Sequence, residues 1–473
     1  MKDFHRSLLK TALALVILIA LGLYAYFVEY KRSQEEVTKK EEETKVVKDL
    51  KKDDIAEIKI THRDNKTIEL KKENDQFRIV SPISSDVDKN TVDTIINTLE
   101  SLRSTTRFVD NERLSNFGLT TPSLIIEYKL KNGNTRRLLC GIRNDFDGKY
   151  YMKFEDSNEV FLIEGYVKGN LDKDLFSLRD KSVFKVETNE IKKIEYKIGD
   201  IVYIFEQKDK IWEMLSPEKT RADDDEINKL KNSIKNLSAK AFFEEKKGLS
   251  EFGFDRSKDY LKIYKGADMA VSSISISKVK DSQGVEKVYV MRQNTDVPIE
   301  VDSSFYKDLD KKPYDYKFKK ILDFERDSVF KIELDSGTDK YAFVKEQTDT
   351  SSDWYYLENN SKKKVKYYKI SSLLYFLNDT KATQMKPSNP VLLEKYKLDK
   401  PEKLIIIYDS LSREIGRVEF GERDAEGTPL RSSIREEISF IESKKFEDIS
   451  FSIKDYLEDS KQDVHEQANK PDR

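Results

Sequence analysis

The sequence is poor in the two residue types that most often carry catalytic and metal chemistry, with one cysteine and three histidines. Cys140 has no second cysteine with which to form a disulfide, which leaves the cellular compartment open. His5, His62 and His465 fall at no spacing typical of metal ligands or of a catalytic triad. We therefore expect neither a histidine-based metal site nor a Ser-His-Asp mechanism.

The chain also lacks an excess of charge of one sign. Its 86 basic and 88 acidic residues are interspersed and give a net charge of −2. Nucleic-acid binding requires a concentrated basic surface, so we expect no nucleic-acid partner. Charged residues make up 37% of the chain, which predicts a highly solvated surface, and hydrophobic residues, also 37%, suffice for packed cores.

Short catalytic motifs are missing as well. The segment 141–149 has glycines too far apart for a phosphate-binding loop, and Tyr150 stands where Ser or Thr would bind magnesium, so we interpret it as a hairpin loop. The Ser-x-x-Lys pattern at 216–219 has none of its usual companion motifs. Cys140 has no neighbouring histidine to activate it and is interpreted as a buried packing thiol. We assign no catalytic, cofactor-binding or metal-binding residue and expect no enzyme activity.

Acidic side chains leave two interpretations open. Asp223–Glu226 could hold a hard cation, but carboxylates in the first turn of a helix also accept hydrogen bonds from free N–H groups, and we favour this second role. The corresponding segment Asp86–Asn90 is less acidic, so a metal site shared by the repeats is not expected. A carboxylate pair acting as general acid and base stays an alternative, although no spacing selects one pair among 88 acidic residues.

Long hydrophobic runs are lacking apart from one near the amino terminus. Thr11–Val28 is uncharged, and a helix of this length spans about 27 Å, close to the hydrocarbon thickness of a bilayer. With Leu8, Leu9 and the aromatic residues at its far end, the run predicts a transmembrane helix that contacts the lipid bilayer through residues 8–28. A cleaved signal peptide is the alternative, but the run is too long and no small-residue cleavage site follows it.

The flanks of this run bear on its orientation. Lys31 and Arg32 follow it, so positive charge lies on both sides. A short amino-terminal tail and a large following domain favour an amino terminus inside the cell. We therefore expect the rest of the chain to lie outside the cytoplasm.

What the chain does contain is internal repetition. An apolar pattern with spacings of 3, 4 and 3, typical of one helix face, occurs twice at an offset of 135 residues, and its first three positions recur 143 residues later. The aromatic residues Phe77, Trp212 and Trp354 recur at similar offsets, and we interpret them as core plugs beneath the helix, with ligand platforms as the alternative. The pattern consists of Val92, Ile95, Leu99 and Leu102, then Ile227, Leu230, Ile234 and Leu237, and then Ile370, Leu373 and Leu377.

The repeat divides the chain into domains. We expect a tail and transmembrane helix at 1–30, a charged stalk at 31–53 that buries no core, and a frayed tail at 459–473. Three modules fill the remainder, at 54–182, 183–320 and 321–458.

Each module is expected to fold as α+β. Ile55–Ile60 alternates like a half-buried strand, Leu124–Tyr128 is strongly β-prone, and residues 84–86 offer caps for the main helix. Meandering strands, one main helix and then more strands predict a mostly antiparallel sheet packed by that helix. A short helix is predicted from Val167 to Leu175. Further strands are predicted at Thr67–Leu70, Phe77–Val80, Arg137–Cys140, Tyr150–Lys153 and Val160–Ile163.

A second recurring landmark carries a family resemblance. Leu114–Pro122 reads Leu-x-x-Phe-Gly-Leu-x-x-Pro, in which Gly118 is expected to adopt a left-handed turn. The second module keeps the glycine at Gly253 without the proline, and the third has Lys397 in its place. With the basic start, membrane helix, stalk and aromatic-x-x-x-x-Pro element, this motif resembles the domain-of-unknown-function family DUF4340, well over residues 1–180 and more weakly beyond.

The resemblance implies a bacterial protein, because members of that family are bacterial. It also implies an association with the auxiliary membrane components of gliding-motility-type ABC transporters, with which members are often found. It brings no established catalytic residues. We therefore predict a non-enzymatic, single-pass protein of the bacterial cytoplasmic membrane, largely on the periplasmic side, that binds or scaffolds an ABC-type envelope transport complex. Two alternatives stay open: a carboxylate-dependent, glycan-acting envelope enzyme and a purely structural spacer.

Overall fold

The structure, a computed structural model, describes residues 2–48, 50–244, 248–347, 352–358 and 361–458. The expected tail at 459–473, which includes His465, lies outside the described residues. Within them, one long amino-terminal helix is followed by three sheets of nine strands each.

The amino-terminal helix, α1 (Lys2–Thr44), covers the apolar run and continues into the expected stalk. Its side chains at 2–12, 14 and 35–41 lie outside the described set, and these include His5 and the first part of the predicted membrane span. The described apolar and aromatic side chains from Leu13 to Tyr30 are exposed, Leu18 by 72%. Among the described residues, no helix combines the length and the apolarity of a membrane span.

The first module forms a sheet whose strands follow the order β4-β3-β2-β1-β6-β7-β8-β9-β5. The neighbouring strands of this sheet pair in antiparallel orientation. Its elements are β1 (Ile55–His62), β2 (Thr67–Glu73), β3 (Gln76–Ser81), β4 (Ser85–Asp86), α2 (Lys89–Glu100), β5 (Arg107–Val109), β6 (Leu124–Leu130), β7 (Thr135–Arg143), β8 (Tyr150–Phe154), β9 (Glu159–Ile163), α3 (Gly165–Leu171) and α4 (Leu175–Leu178).

The second module repeats this order, with its sheet arranged as β13-β12-β11-β10-β15-β16-β17-β18-β14. Its elements are β10 (Ile191–Ile198), β11 (Ile201–Lys208), β12 (Ile211–Ser216), β13 (Thr220–Arg221), α5 (Asp224–Lys235), β14 (Ala239–Phe242), β15 (Asp259–Lys265), β16 (Ala270–Lys280), β17 (Glu286–Arg292), β18 (Ile299–Val301) and α6 (Ser304–Leu309).

The third module has the same strand order again, β22-β21-β20-β19-β24-β25-β26-β27-β23. Its elements are β19 (Lys331–Asp335), β20 (Lys340–Gln347), β21 (Ser352–Glu358), β22 (Ser361–Lys364), α7 (Tyr367–Asp379), β23 (Gln384–Lys386), α8 (Pro390–Lys395), β24 (Lys403–Tyr408), β25 (Glu414–Phe420), β26 (Thr428–Ser432), β27 (Arg435–Ile441), α9 (Ser443–Glu447) and α10 (Ile453–Tyr456).

The predicted α+β class with mostly antiparallel pairing is confirmed, and the apolar helix face has the predicted role. In the first module, Ile95 and Leu99 of α2 share one buried core with Ile58 and Ile60 of β1. Leu102, the last residue of the predicted helical pattern, lies two residues beyond the end of α2 but is buried in the same core. The helix is therefore shorter than its apolar pattern, which continues into the following turn.

The caps of the main helices differ from the prediction in the first module. Residues 84–86 were candidate caps, but Asp88 accepts the capping hydrogen bond from the Thr91 N–H at 2.8 Å. Residues 85 and 86 instead pair with β3 as β4. In the second module Asp223 has the capping position, because its carboxylate accepts hydrogen bonds from the N–H groups of Asp225 and Glu226.

Both ends of each module are fastened beside its main helix. The incoming segment pairs with a residue just after the helix, and the outgoing segment pairs with a residue just before it. These antiparallel bridges recur at equivalent positions in all three modules. The incoming bridges join Lys45 to Arg103, Ser182 to Ser238 and Lys320 to Lys381, and the outgoing bridges join Val87 to Arg179, Ala222 to Lys317 and Val365 to Leu457.

The bridge at Lys45 corrects the expectation that residues 31–53 bury no core. Val47 and Leu50 are 2% and 5% exposed and belong to the core of the first module. Two apolar side chains in a lysine- and glutamate-rich run were too weak a sequence signal to separate them from the stalk. The first module therefore begins at Lys45, not at residue 54.

In each module an arginine also donates hydrogen bonds to backbone carbonyls of the incoming segment. Arg107 donates to the carbonyl oxygens of Thr44 and Lys45, the latter at 2.9 Å. In the second module the guanidinium of Arg292 bonds the carbonyls of the incoming residues 182 and 183, and Arg435, 143 residues later, bonds the carbonyl of residue 320. Burial lowers the pKa of both later arginines, so the segments are tied by partly desolvated charge-assisted bonds.

The chain divides into two compact units. One contains residues 1–191, 197–199 and 232–309, and the other contains residues 192–196, 200–231 and 310–473. The boundary passes through the second module, so the repeated module and the compact unit are different divisions of the chain.

Candidate functional site

A cleft of about 660 Å³ opens in the first module between the start of β3 and the helix α2. Its volume falls in the range of small-ligand sites, roughly 300–1,000 Å³. Its lining combines an apolar floor with a charged rim. The lining residues are Lys52, Asp53, Lys72, Glu73, Asn74, Asp75, Gln76, Phe77, Arg78, Asp86, Val87, Lys89, Val92, Asp93, Ile96, Asp180 and Lys185.

The aromatic landmark at the start of the third strand accounts for the opening. Trp212 and Trp354 are each 3% exposed, which confirms the interpretation of core plugs in the second and third modules. Phe77 occupies the same place in the first module but is half-buried and lines the cleft. A phenyl ring is smaller than an indole, so the first module leaves space that its two copies fill.

A backbone hydrogen bond also distinguishes the modules. The Ala222 N–H bonds the Trp212 carbonyl at 2.8 Å, and the Val365 N–H bonds the Trp354 carbonyl at 3.1 Å. Among the described residues of the first module, the equivalent bond from Val87 to the Phe77 carbonyl is not formed. The strand edge at Phe77 is therefore open where its two counterparts are closed.

β4 ends before it reaches this edge, as the equally short β13 does in the second module. β4 pairs with β3 only through Arg78 with Asp86 and Ile79 with Ser85. Gln76 and Phe77 lie beyond the last of these pairs and border the cleft. Their backbone groups on this side lie along a sheet edge, and such edges are templates for pairing with another strand.

Apolar side chains form the floor of the cleft. Val92 and Ile96 come from the core-facing side of α2 and lie next to the Phe77 ring and Val87. The Lys72 ammonium lies 6.0 Å from the centre of that ring, within reach of a cation–π contact. The floor can therefore accept one apolar or aromatic group.

Ion pairs form the rim. The Lys52 ammonium lies 2.8 Å from the Asp93 carboxylate, and the Arg78 guanidinium lies 3.4 Å from that of Asp86. Lys185 pairs with both Asp86 and Asp180. Each of these charges is thus matched by a neighbour of opposite sign.

Two acidic groups of the rim, Asp86 and Asp180, have a lowered pKa. The hydrogen bond from Lys185 lowers the pKa of Asp86 below its ordinary value. Burial alone would raise the pKa of Asp180, but hydrogen bonds from Ser182 and Lys185 outweigh it and lower that pKa. A general acid must carry a proton near neutral pH, and these two carboxylates are tuned in the opposite direction.

The other residues singled out by the sequence analysis lie outside the cleft, in the first and second modules. Cys140 is fully buried in β7, and burial raises the pKa of its thiol to about 11, as expected for a packing thiol. Segment 141–149 joins the adjacent strands β7 and β8 as the predicted hairpin loop. Gly118 and Gly253 have φ of 66° and 76°, which confirms the left-handed turns.

The acidic run at the start of α5 contains the predicted helix cap. Asp223 caps the helix, and Glu226 bonds the ammonium groups of Lys229 and Lys311, both at 2.6 Å. No group of three or more histidine, cysteine, aspartate or glutamate side chains among the described residues is arranged to hold a metal ion.

Sequence reasoning missed a histidine–carboxylate contact. His62 is the last residue of β1, and its Nδ1 lies 3.0 Å from the Asp172 carboxylate, which also bonds Lys168. Within the part of the chain that the structure describes, His62 Nε2 is enclosed without a hydrogen-bond partner. The two residues are 110 positions apart, so no local pattern could have revealed the pair.

Within the part of the chain that the structure describes, the first module combines a half-buried aromatic residue with a missing backbone bond, whereas the other two modules bury a tryptophan there and form that bond. The chain belongs to the family described as a domain of unknown function, DUF4340, whose model matches residues 78–210 and 212–401. The family resemblance is thus confirmed, and the matched residues begin at residue 78 in the first module and extend through the second module into the third. No curated protein and no solved structure matches this chain.

Proposed function

We propose that this protein is a non-enzymatic, membrane-anchored binding or scaffolding protein on the extracytoplasmic side of a bacterial cytoplasmic membrane. The observation that carries the proposal is the cleft at Phe77, because two closed copies of the same module show that the open copy differs where a ligand would enter. A purely structural spacer needs no such difference between copies.

The membrane anchor rests on the amino-terminal run. Thr11–Val28 carries no charge, and the apolar side chains that are described there are exposed to solvent. Exposed side chains such as Leu18 and Phe27 are stable only when an apolar phase or a partner covers them. A lipid bilayer in contact with residues 8–28 supplies such a phase.

The partner is proposed as a component of an ABC-type envelope transport complex. This part of the proposal comes from the DUF4340 resemblance, while the three modules supply the surfaces that such an accessory needs. The alternative of a glycan-acting enzyme requires a protonated carboxyl beside an ionised one. The lowered pKa values of Asp86 and Asp180 argue against that role for the cleft.

The proposal is tested in native membranes. The full chain should resist extraction by high salt and alkaline carbonate and should need detergent for release. Chemical cross-linking before solubilisation should then recover an ATPase or permease subunit with the protein. Release without detergent would contradict the anchor, and repeated recovery of the protein alone would contradict the role in a complex.

A further inference from the structure

We propose that the cleft of the first module binds a short extended peptide segment, which pairs with the open edge of β3 and places one apolar side chain against Phe77. This inference rests on the proposed binding function and names the chemical class of its ligand. The peptide would belong to a protein partner and would contribute both backbone and side-chain contacts.

The backbone contact follows from the comparison of the three modules. In the second and third modules an N–H of the same chain donates to the tryptophan carbonyl, at 2.8 and 3.1 Å. The Phe77 carbonyl lacks this intramolecular donor among the described residues. A peptide N–H at that position supplies the missing bond and continues the antiparallel pairing that β4 ends at Asp86.

The side-chain contact follows from the missing volume. The indole rings of Trp212 and Trp354 are buried in their modules, whereas Phe77 is half-buried and lines the cleft together with the buried side chains of Val92 and Ile96. A leucine, valine or phenylalanine side chain of the peptide would replace the part of the indole that the first module lacks. Burial of this group would provide the apolar share of the affinity.

The rim favours a peptide over a simple anion. Lys52, Arg78 and Lys185 lie on the rim, and each is already paired with a carboxylate. A phosphate or nucleotide would have to displace these carboxylates and leave them unpaired. An extended peptide that alternates apolar residues with lysine and glutamate meets both signs of charge without breaking the existing pairs.

The test uses the full chain in detergent micelles and a panel of fluorescent octapeptides, acetylated and amidated, that alternate Leu, Val or Phe with Lys and Glu. Anisotropy measures binding, and hydrogen exchange detected by mass spectrometry locates it. We expect at least one peptide to bind and to slow exchange at residues 76–78 and in α2. A peptide with serine at every apolar position should bind at least about tenfold more weakly.

Two substitutions make the test specific. Phe77→Trp places in the first module the residue that the other two modules already accommodate, so it should fill the cleft without unfolding the module. We expect it to weaken peptide binding about tenfold or more while exchange elsewhere stays unchanged. Trp212→Phe makes the reciprocal change in the second module and should leave the affinity for the tightest peptide within about twofold.

Methylation of one backbone nitrogen at a time tests the hydrogen bond to the Phe77 carbonyl. One position should lose binding, and the others should lose less. The inference is overturned if no peptide of the panel binds, if Phe77→Trp leaves binding intact, or if an N-acetylglucosamine oligomer rather than a peptide protects the cleft. None of these results removes the cross-linked partner from native membranes, so failure here is distinguishable from failure of the proposed function.

Discussion

One residue position shows how small a change separates a closed module from an open one. Phe77, Trp212 and Trp354 were predictable as equivalent large residues from their spacing, and two of them fill their cores as expected. The partial exposure of Phe77 was not predictable, because it accompanies a difference in the pairing of strand ends that no local pattern encodes.

Lys397 provides a prediction at the residue scale. It stands where the other two modules have glycine, and it has a φ of 55°, a left-handed conformation that a residue with a Cβ adopts at an energetic cost. Its side chain is exposed, so Lys397→Gly should stabilise the third module by about 0.5–1 kcal/mol. Urea unfolding followed by hydrogen exchange in that module measures the gain.

Gly118→Ala, the matched substitution in the first module, should lower stability rather than raise it. A Cβ at Gly118 would lie 2.6 Å from the Ile142 side chain at a φ of 66°. Gly118→Ala should therefore destabilise the first module by about 1 kcal/mol or more. Equal effects of the two substitutions would contradict the equivalence of the three turns.

Glu226 gives a pH dependence with a defined sign. Partial burial would raise its pKa, but hydrogen bonds from Lys229 and Lys311 outweigh burial and lower the pKa to about 2, below the ordinary value of 4.5. Its contribution to stability is therefore complete above about pH 4.5 and is lost as the pH falls through about 2. With solvent screening, we expect about 1–2 kcal/mol.

Thermal unfolding of Glu226→Gln tests this contribution. The difference in Tm between the wild-type chain and the variant should be constant from pH 7 to about 5 and should shrink below pH 4.5. A difference that stays constant down to pH 3 would mean that the ion pairs with Lys229 and Lys311 do not tune this carboxyl.

The elements of secondary structure were the most predictable part of the molecule. Strands of five or more residues in the first module carry alternating or strongly β-prone side chains, and all of those that were predicted are present. β4 and β5 were missed because two and three residues contain no recognisable period. Their pairing is decided by tertiary contacts rather than by local sequence.

The cap of α2 gives a prediction at the scale of the element. Asp88 accepts a hydrogen bond from the Thr91 N–H, so Asp88→Ala should destabilise the first module by about 1 kcal/mol. Ser84 was a candidate cap by sequence but is exposed and precedes β4, so Ser84→Ala should change the stability by less than about 0.5 kcal/mol. Exchange rates of the α2 amides measure both effects.

The reverse ranking of these two variants would show that the helix begins earlier than the structure places it. The sequence offered several acidic and hydroxyl residues before α2 and no means of choosing among them. The choice follows from the pairing of residues 85 and 86 with β3, which leaves Asp88 as the residue at the helix start.

At the scale of the whole molecule, the sequence predicted the three repeats but not the residue at which the first repeat begins. Offsets between equivalent residues predicted three copies, and three sheets share one strand order. Lys45, Val47 and Leu50 belong to the first copy although they stand in a charged run, because pairing to Arg103 and core burial outweigh the local composition. The candidate cleft could not be predicted either, because it also depends on contacts between residues that are distant in the sequence.

The central claim is that the first module, and not its copies, holds a partner through the open edge of its third strand. Gln76 and Ile211 are equivalent, exposed positions at the start of that strand in the first and second modules. A photoreactive p-benzoylphenylalanine at position 76 should give a covalent adduct with a membrane transport subunit in native membranes, and the same residue at position 211 should not. Identical adducts at both positions, or no adduct at position 76, would contradict the claim.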